Sequence, residues 1–267
     1  MNLLEIAKLN ISFRRYDGFM RQTTIECVRD ISLTVARGEV LALFGASGAG
    51  KSLIAHAVMG LLPPNAIVDG VIRFEGRTVD EKVMADLRGN RIALIPQSLS
   101  HLDPLATVEQ QLRWAARRAG RSMKAAGSVR DALSRFGLQP SVAHAFPHTL
   151  SGGMARRVML AMTTVSNADL IIADEPSNGL DPENTATVFR ALKALAEAGK
   201  AVLVISHDLS AALDIADRVV ILRDGKVAAA ERAEAFAGGG ENLSAPYARS
   251  IWNALPQNGF SGGYDEA

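Results

Sequence analysis

Eight consecutive residues, Gly45-Ala46-Ser47-Gly48-Ala49-Gly50-Lys51-Ser52, have the spacing of a phosphate-binding loop, G-x-x-x-x-G-K-[ST]. Its glycines allow the backbone to point amides inward at phosphate oxygens. A helix that starts at about Gly50 and continues through Leu53 adds the partial positive charge of its N-terminus. Lys51 can then reach the β- and γ-phosphates of a nucleoside triphosphate, and the Ser52 hydroxyl can bind Mg²⁺. Far along the chain, Leu170-Ile171-Ile172-Ala173-Asp174-Glu175 reads as a buried strand ending in two carboxylates. Such strand ends meet the ligand crevice of open α/β sheets. Asp174 is placed to hold the Mg²⁺ shell, and Glu175 to polarise an attacking water as general base or orienting group. The chemistry these residues suit is hydrolysis of a nucleoside triphosphate. The loop alone fits kinases, GTPases and helicases as well.

The elements that must position these groups alternate between strand and helix. Val40 to Phe44 is a short apolar run ending in glycine, the pattern of a buried strand. It is preceded by β-type stretches at Leu4 to Phe13 and Ile31 to Val35. The helix from about Gly50 ends near Leu61, where Pro63-Pro64 cannot continue it. Strands follow at Ile67 to Phe74 and Arg91 to Ile95. From about Thr107 to Phe136 the pattern is helical, so residues 98–153 read as a helical subdomain inserted into an α/β core. The core resumes with a helix from about Gly153, the strand ending in Asp174, a helix over Pro182 to Ala198, the strand Ala201 to Ile205 and a helix from Leu209. Arg218 to Leu222 and Lys226 to Ala230 flank Asp224-Gly225, a hairpin turn. The alternation predicts an α/β fold with a largely parallel sheet covered on both faces. Gly238-Gly239-Gly240 marks the start of a flexible tail, so residues 1–240 form the domain and 241–267 the C-terminal tail.

Composition narrows the class. With 267 residues and 48% apolar side chains the chain can bury a sizeable core. The 29 basic and 28 acidic side chains leave a net charge of +1, which gives no reason to expect nucleic acid as a partner. One cysteine, Cys27, excludes an internal disulfide and a multi-cysteine metal site, and reads as a small buried apolar residue. The first residues, with Glu5 and Lys8 inside an apolar stretch, lack the layout of a signal peptide. No apolar run approaches the roughly 20 residues of a membrane helix. A membrane role would be played from the cytoplasmic side, through a partner.

Leu150-Ser151-Gly152-Gly153-Met154, shortly before the acidic strand and opening a helix, resembles the LSGGQ signature of the ABC (ATP-binding cassette) ATPases, with Met154 in place of the glutamine. The resemblance covers residues 3–235. It implies a P-loop NTPase (RecA-like) core with an inserted α-helical subdomain and an N-terminal antiparallel β subdomain, with ATP and Mg²⁺ bound. It also implies roles. Gln97 resembles the Q-loop glutamine that senses Mg²⁺ and the transporter. Gly179-Leu180-Asp181 resembles the D-loop, and His207 the switch histidine that contacts the γ-phosphate. Phe13 matches the aromatic residue that stacks on adenine, with Tyr16 as the alternative. Ser151, Gly152 and Gly153 are implied to complete the ATP site of an opposite subunit, so that ATP joins two ATPase chains head to tail.

Finer likeness runs through Phe146-Pro147-His148-Thr149 before the signature and Arg157-Val158-Met159-Leu160-Ala161-Met162 after it, Leu102-Asp103-Pro104, and Pro246-Tyr247-Ala248-Arg249. These resemble the ATPase subunits of importers for oligopeptides, dipeptides, nickel and opine-type metallophores. Peptide members commonly continue into a Cys-containing extension, and an end at Ala267 without one is more like the nickel-type subunit. The expected role is therefore ATP-driven nickel uptake, with di- or oligopeptide uptake as the alternative. The implied partners are a second, different ATPase subunit, two membrane-spanning permease subunits and an extracytoplasmic binding protein. The implied place is the cytoplasmic face of the inner membrane. His144 and His148 are four apart, but Pro147 argues against a regular helix carrying a metal site, and His56 and His101 also read as structural. Soluble ABC ATPases of translation or repair usually carry two cassettes or a long coiled-coil insertion, and exporters often fuse the cassette to membrane helices.

Overall fold

The computed structural model describes residues 2–17, 21–123 and 128–258. In chain order its elements are β1 (Asn2–Asp17), β2 (Arg21–Ala36), β3 (Val40–Gly45), α1 (Lys51–Met59), β4 (Ala66–Phe74), β5 (Arg77–Thr78), α2 (Glu81–Leu87) and β6 (Ile92–Ile95). There follow α3 (Val108–Arg118), α4 (Val129–Ser134), α5 (Gly152–Ser166), β7 (Leu170–Asp174), α6 (Pro182–Glu197), β8 (Ala201–Ser206), α7 (Leu209–Leu213), β9 (Arg218–Arg223), β10 (Lys226–Arg232) and α8 (Pro246–Asn253).

The strands form two sheets. The first, in the order β2-β1-β4-β5, is antiparallel. The second, in the order β10-β9-β3-β8-β7-β6, is parallel except for the closing β9–β10 hairpin. That hairpin turns on Asp224 and Gly225, both at positive φ (50° and 76°), as a tight Asp-Gly turn requires. Side chains of the central strands alternate between two cores. Leu41, Leu43, Leu170, Ile172, Leu203 and Ile205 face α1 and the antiparallel sheet. Val40, Ala42, Ile171, Ala173, Val202 and Val204 face α5, α6 and the helical segment. Burial on both faces explains why these strands read as unbroken apolar runs.

Among the described residues between β6 and α5 the chain contains helices and turns only. Capping boxes start two of them, Thr107 with Gln110 and Ser128 with Asp131. Val108, Leu112, Ala116, Ala132 and Leu133 pack with Val158 and Leu160 of α5 in one core.

Three departures from the sequence reading have physical causes. Strand β2 extends well upstream of Ile31 because residues 23–27, although largely solvent-exposed and without clear alternation, are held by pairing with β1. Helix α2 is short and buries only Met84, so it carries no long period; its start is set by Asp80, whose side chain accepts from Val83 N at 2.8 Å. The segment after Gly240 is packed through Asn258. Gly238 and Gly240, at φ 55° and 78°, form a turn rather than a linker. Beyond it Leu243 and Ala248 are buried, the Trp252 indole donates to Gly238 O at 3.0 Å, and Arg223 lies over the Tyr247 ring.

A charge network joins the two sheets. Arg37, in the turn between β2 and β3, and Arg91, before β6, both bond to Glu75 and Asp169. Burial alone would raise the Asp169 pKa, but hydrogen bonds and charge from Arg91 and Arg37 outweigh it and hold the carboxyl below its ordinary value. Lys200 adds a third positive charge nearby. A lowered folded pKa means that the stabilisation is present above the unfolded value of about 3.9 and is lost as the pH falls through the folded value. Asp169→Ala should cost about 1–3 kcal/mol at neutral pH, because two guanidinium groups lose an acceptor. Urea unfolding should show this difference shrinking in acid below about pH 4.

Candidate functional site

The phosphate loop runs from the end of β3 into α1. Its glycines answer to specific contacts. A Cβ on Gly45 would lie 2.6 Å from Leu222 O, so the strand end fits against β9 only without a side chain. Gly48 and Gly50 have φ of 83° and 93°, which L side chains rarely adopt. Gly50 is the N-cap of α1 and offers no capping side chain, so the first amides of the helix are left to an anion. Lys51 is buried, with its ammonium donating to Gly45 O at 2.6 Å and Ala46 O at 3.1 Å. Burial lowers its pKa, against the opposing charges of Glu175 and Asp174.

The two carboxylates end β7, two strands from the loop. Asp174 is 4% exposed and accepts a hydrogen bond from Ser52 Oγ at 3.2 Å. Burial raises its pKa, although the Ser52 bond opposes this. The buried carboxyl oxygen beside a hydroxyl is an oxygen pair suited to a hard cation. Mg²⁺ takes one or two protein oxygens and the rest from phosphate and water. Glu175 lies 3.9 Å from the Lys51 ammonium. Its other oxygen accepts from His207 Nδ1 at 2.6 Å and from His207 N at 3.3 Å. Glu175 is also held at φ 47°, a left-handed backbone costing roughly 1–2 kcal/mol for a residue with a Cβ. Strain of that kind persists where the surroundings over-determine it.

These groups converge on a cavity of about 460 Å³ lined by residues 47–53, Cys27, Gln97, Glu175 and His207. Asp174, Ser52 and Gln97 also line a neighbouring cavity, together with His56 and His101. Ser151, Gly152, Gly153 and Asp181 line neither. Ser151 caps α5, accepting from Met154 N at 3.3 Å. Asp181 caps α6, accepting from Asn184 N at 2.9 Å and from the Asn184 side chain at 2.6 Å. The same Asn184 side chain presses on Gly153, where an added Cβ would meet its Oδ1 at 2.6 Å.

A family model described as ABC transporter matches residues 28–178. The chain is 32% identical over 272 residues to the dipeptide transport ATP-binding protein DppD of Bacillus subtilis, across 97% of this chain and 78% of that protein. The chain belongs to the ABC transporter family. These are ATPases that hydrolyse ATP to power transport. The oligopeptide transport ATP-binding protein OppD of Lactococcus lactis is 35% identical, with 96% of this chain and 76% of that protein aligned. YejF of Escherichia coli K12, an uncharacterized ABC transporter ATP-binding protein, is 34% identical, and there the chain spans about half of the relative, 49%. Among solved structures, the dimeric ATP-binding cassette MJ0796 in a post-hydrolysis state with ADP and Pi superposes with a TM-score of 0.73 at 25% identity, over 86% of this chain and 98% of that one. An ATP-binding subunit of another ABC transporter gives 0.71 at 29% identity, over 88% and 91%. The cassette fold expected from the resemblance is the fold observed.

Within this ABC cassette, most of the predicted groups lie together and a few do not. Lys51, Ser52, Glu175, His207 and Gln97 line one cavity, Asp174 lines the next, and Ser52 and Gln97 are common to both, with Gly45 and Ala46 behind Lys51. Phe13 is half-buried against the core beneath the antiparallel sheet and is not part of the cavity wall; the Tyr16 side chain lies outside the described residues. Cys27, expected in the core, is instead half-exposed on the cavity wall. The cause is backbone proximity. The Cys27 carbonyl is wedged between Gly50 and Gly225, where added Cβ atoms would sit 3.0 and 2.5 Å from it. Arg156 was missed altogether. It is 2% exposed and donates to Pro96 O and Gln97 O. A charge on the apolar face of a helix was the signal that could have found it. Gly153→Ala should destabilise the chain by about 1–3 kcal/mol through overpacking. Thermal unfolding should show most of that loss recovered when Asn184→Ala is added.

Proposed function

We propose that this chain is the ATP-binding and ATP-hydrolysing subunit of a transporter that takes up peptides. The observation that carries the ATPase part is the meeting of Lys51, Ser52, Glu175, His207 and Gln97 at one cavity, with Asp174 bonded to Ser52 on the adjoining wall. In this reading the loop amides and Lys51 hold the β- and γ-phosphates of ATP. Ser52, Asp174 and Gln97 would hold Mg²⁺, which would supply positive charge against the phosphate oxygens. Glu175, oriented by His207, aligns a water and accepts its proton as the water attacks the γ-phosphorus, the bond to the β–γ bridging oxygen breaks, and ADP and phosphate are formed. His207 then faces the transferred group with its free ring edge. Phe13 is assigned to the adenine.

Charge on the open side of the γ-phosphate needs donors from outside the crevice. Ser151 and the amides of Gly152 and Gly153 head a helix but stand away from their own cavity, which supports their acting on the nucleotide of a second cassette. Asp181 joins this surface through Asn184 and Gly153. The dimeric ADP-and-Pi state named for MJ0796 supports the same arrangement.

The peptide cargo is supported by relatives named for dipeptide and oligopeptide transport. Nickel rests on the sequence resemblance alone. In either case the cargo would be chosen by permease subunits and an extracytoplasmic binding protein. No helix among the described residues is long and apolar enough to cross a membrane. The chain would therefore work peripherally, at the cytoplasmic face, beside two permeases and a second ATPase.

Uptake of labelled di- and oligopeptides, and of nickel, in a strain lacking this subunit tests the cargo. Peptide uptake restored by the natural chain but not by Lys51→Ala is the expected result. Restoration of nickel uptake only would overturn the peptide reading. In purified protein, Lys51→Ala should weaken ATP binding about tenfold or more. Glu175→Gln should bind ATP, hydrolyse it about 100-fold more slowly or worse, and accumulate as an ATP-dependent dimer on size exclusion. Ordinary turnover by that variant would remove Glu175 from the mechanism.

A further inference from the structure

Helix α5 carries a guanidinium into its buried face. Arg156 is 2% exposed, its Nε has no hydrogen-bond partner, and its two NH groups donate to Pro96 O and Gln97 O. Both acceptors are backbone carbonyls rather than carboxylates. Burying a cation on such terms is costly, and an apolar side chain of similar volume would often serve stability as well or better. What an apolar residue could not do is hold the main chain at Pro96-Gln97.

That main chain needs holding. β6 ends at Ile95, so Pro96 and Gln97 lie beyond the last rung of the parallel ladder. Gln97 nonetheless lines both cavities. One turn before Arg156, α5 begins at Gly152, with Ser151 as its cap. The next residue, Arg157, donates to Gly153 O and to Phe136 O and Gly137 O, which fastens the same helix to the helical segment. One helix thus grips the segment carrying Gln97 through Arg156 and carries the Ser151–Gly153 turn at its head.

We propose that Arg156 is a positioning residue that locks Gln97 to α5, so that Gln97 stands at its own nucleotide crevice only while the signature helix is seated on the core. The proposal rests on the assignment of Gln97 to the ATP and Mg²⁺ site. It makes the two halves of a composite site, one facing this chain's nucleotide and one facing the partner's, move as a single lever.

A double-mutant cycle on the full chain separates this from a role in folding alone. Gln97→Ala, Arg156→Ala and the pair are compared for ATPase kcat, for the Mg²⁺ concentration giving half-maximal rate, and for Mg²⁺-free binding of a fluorescent ATP analogue. Arg156→Ala should lower kcat about 10- to 100-fold, the scale of a misplaced reacting group, and should raise the Mg²⁺ requirement. Analogue binding, which depends on Lys51 and the loop, should stay within about threefold, since it makes no use of Gln97. The pair should be no slower than Gln97→Ala alone within about twofold. Losses that multiply in the pair, or a loss of analogue binding in step with kcat, would make Arg156 a structural residue and overturn the proposal. A kcat and Mg²⁺ requirement left unchanged by Gln97→Ala would remove the assignment beneath it, and the proposal with it. If Arg156→Ala does not fold, Arg156→Gln, which keeps one donor without the charge, is measured in its place against the same outcomes.

Discussion

A parallel sheet covered on both faces has few places where charge can meet solvent, and the ends of its strands are the main ones. In this chain that constraint organises the chemistry. The order β3-β8-β7 sets the end of β3 beside Ser206-His207 and next to Asp174-Glu175. The groups come from three stretches of chain more than a hundred residues apart from first to last, yet they arrive at one rim because the ladders are in register: Phe44 opposite Ser206, and Asp174 opposite Ile205. Once there, the charges hold one another. Lys51 sits between loop carbonyls and Glu175, Glu175 between Lys51 and His207, and Asp174 against Ser52. Removing one partner leaves another charge buried without compensation.

The second organising contact is steric. Glycines at 45 and 50 let β9 and β2 close on the loop, and Gly225 lets the β9–β10 turn close on β2 at Cys27. The tip of the hairpin is tied in by Arg29 N donating to Gly225 O at 2.7 Å. The antiparallel sheet is thereby joined to the core twice, at this contact and through the Arg37, Glu75, Arg91 and Asp169 network at the opposite end of the strands.

How much of this could be read beforehand follows from the kind of signal. The loop, the acidic strand end and the Asp-Gly hairpin were legible because their chemistry is local: spacing, glycine and an apolar run suffice. Central strands were legible because burial on both faces writes itself as continuous apolar sequence. Much of β2 was not, since its exposed outer half is fixed by pairing with β1, a long-range fact. The packed tail was obscured by three glycines that read as a linker and serve as a turn. Arg156 and Cys27 were invisible for a related reason: their roles come from carbonyls and glycines distant in sequence. Cargo has no local signal of this kind: the place where the sequence ends involves no contact with cargo, and relatives of the chain are named for dipeptide and oligopeptide transport.

The left-handed backbone at Glu175 has an evolutionary corollary. Glycine or asparagine would occupy that conformation at lower cost, so selection for foldability alone pulls position 175 away from glutamate. A glutamate at that position is therefore not a choice made by the turn itself. In a paired cassette that had become a passive nucleotide holder, this position should drift first, and it should drift toward the residues that relax the backbone.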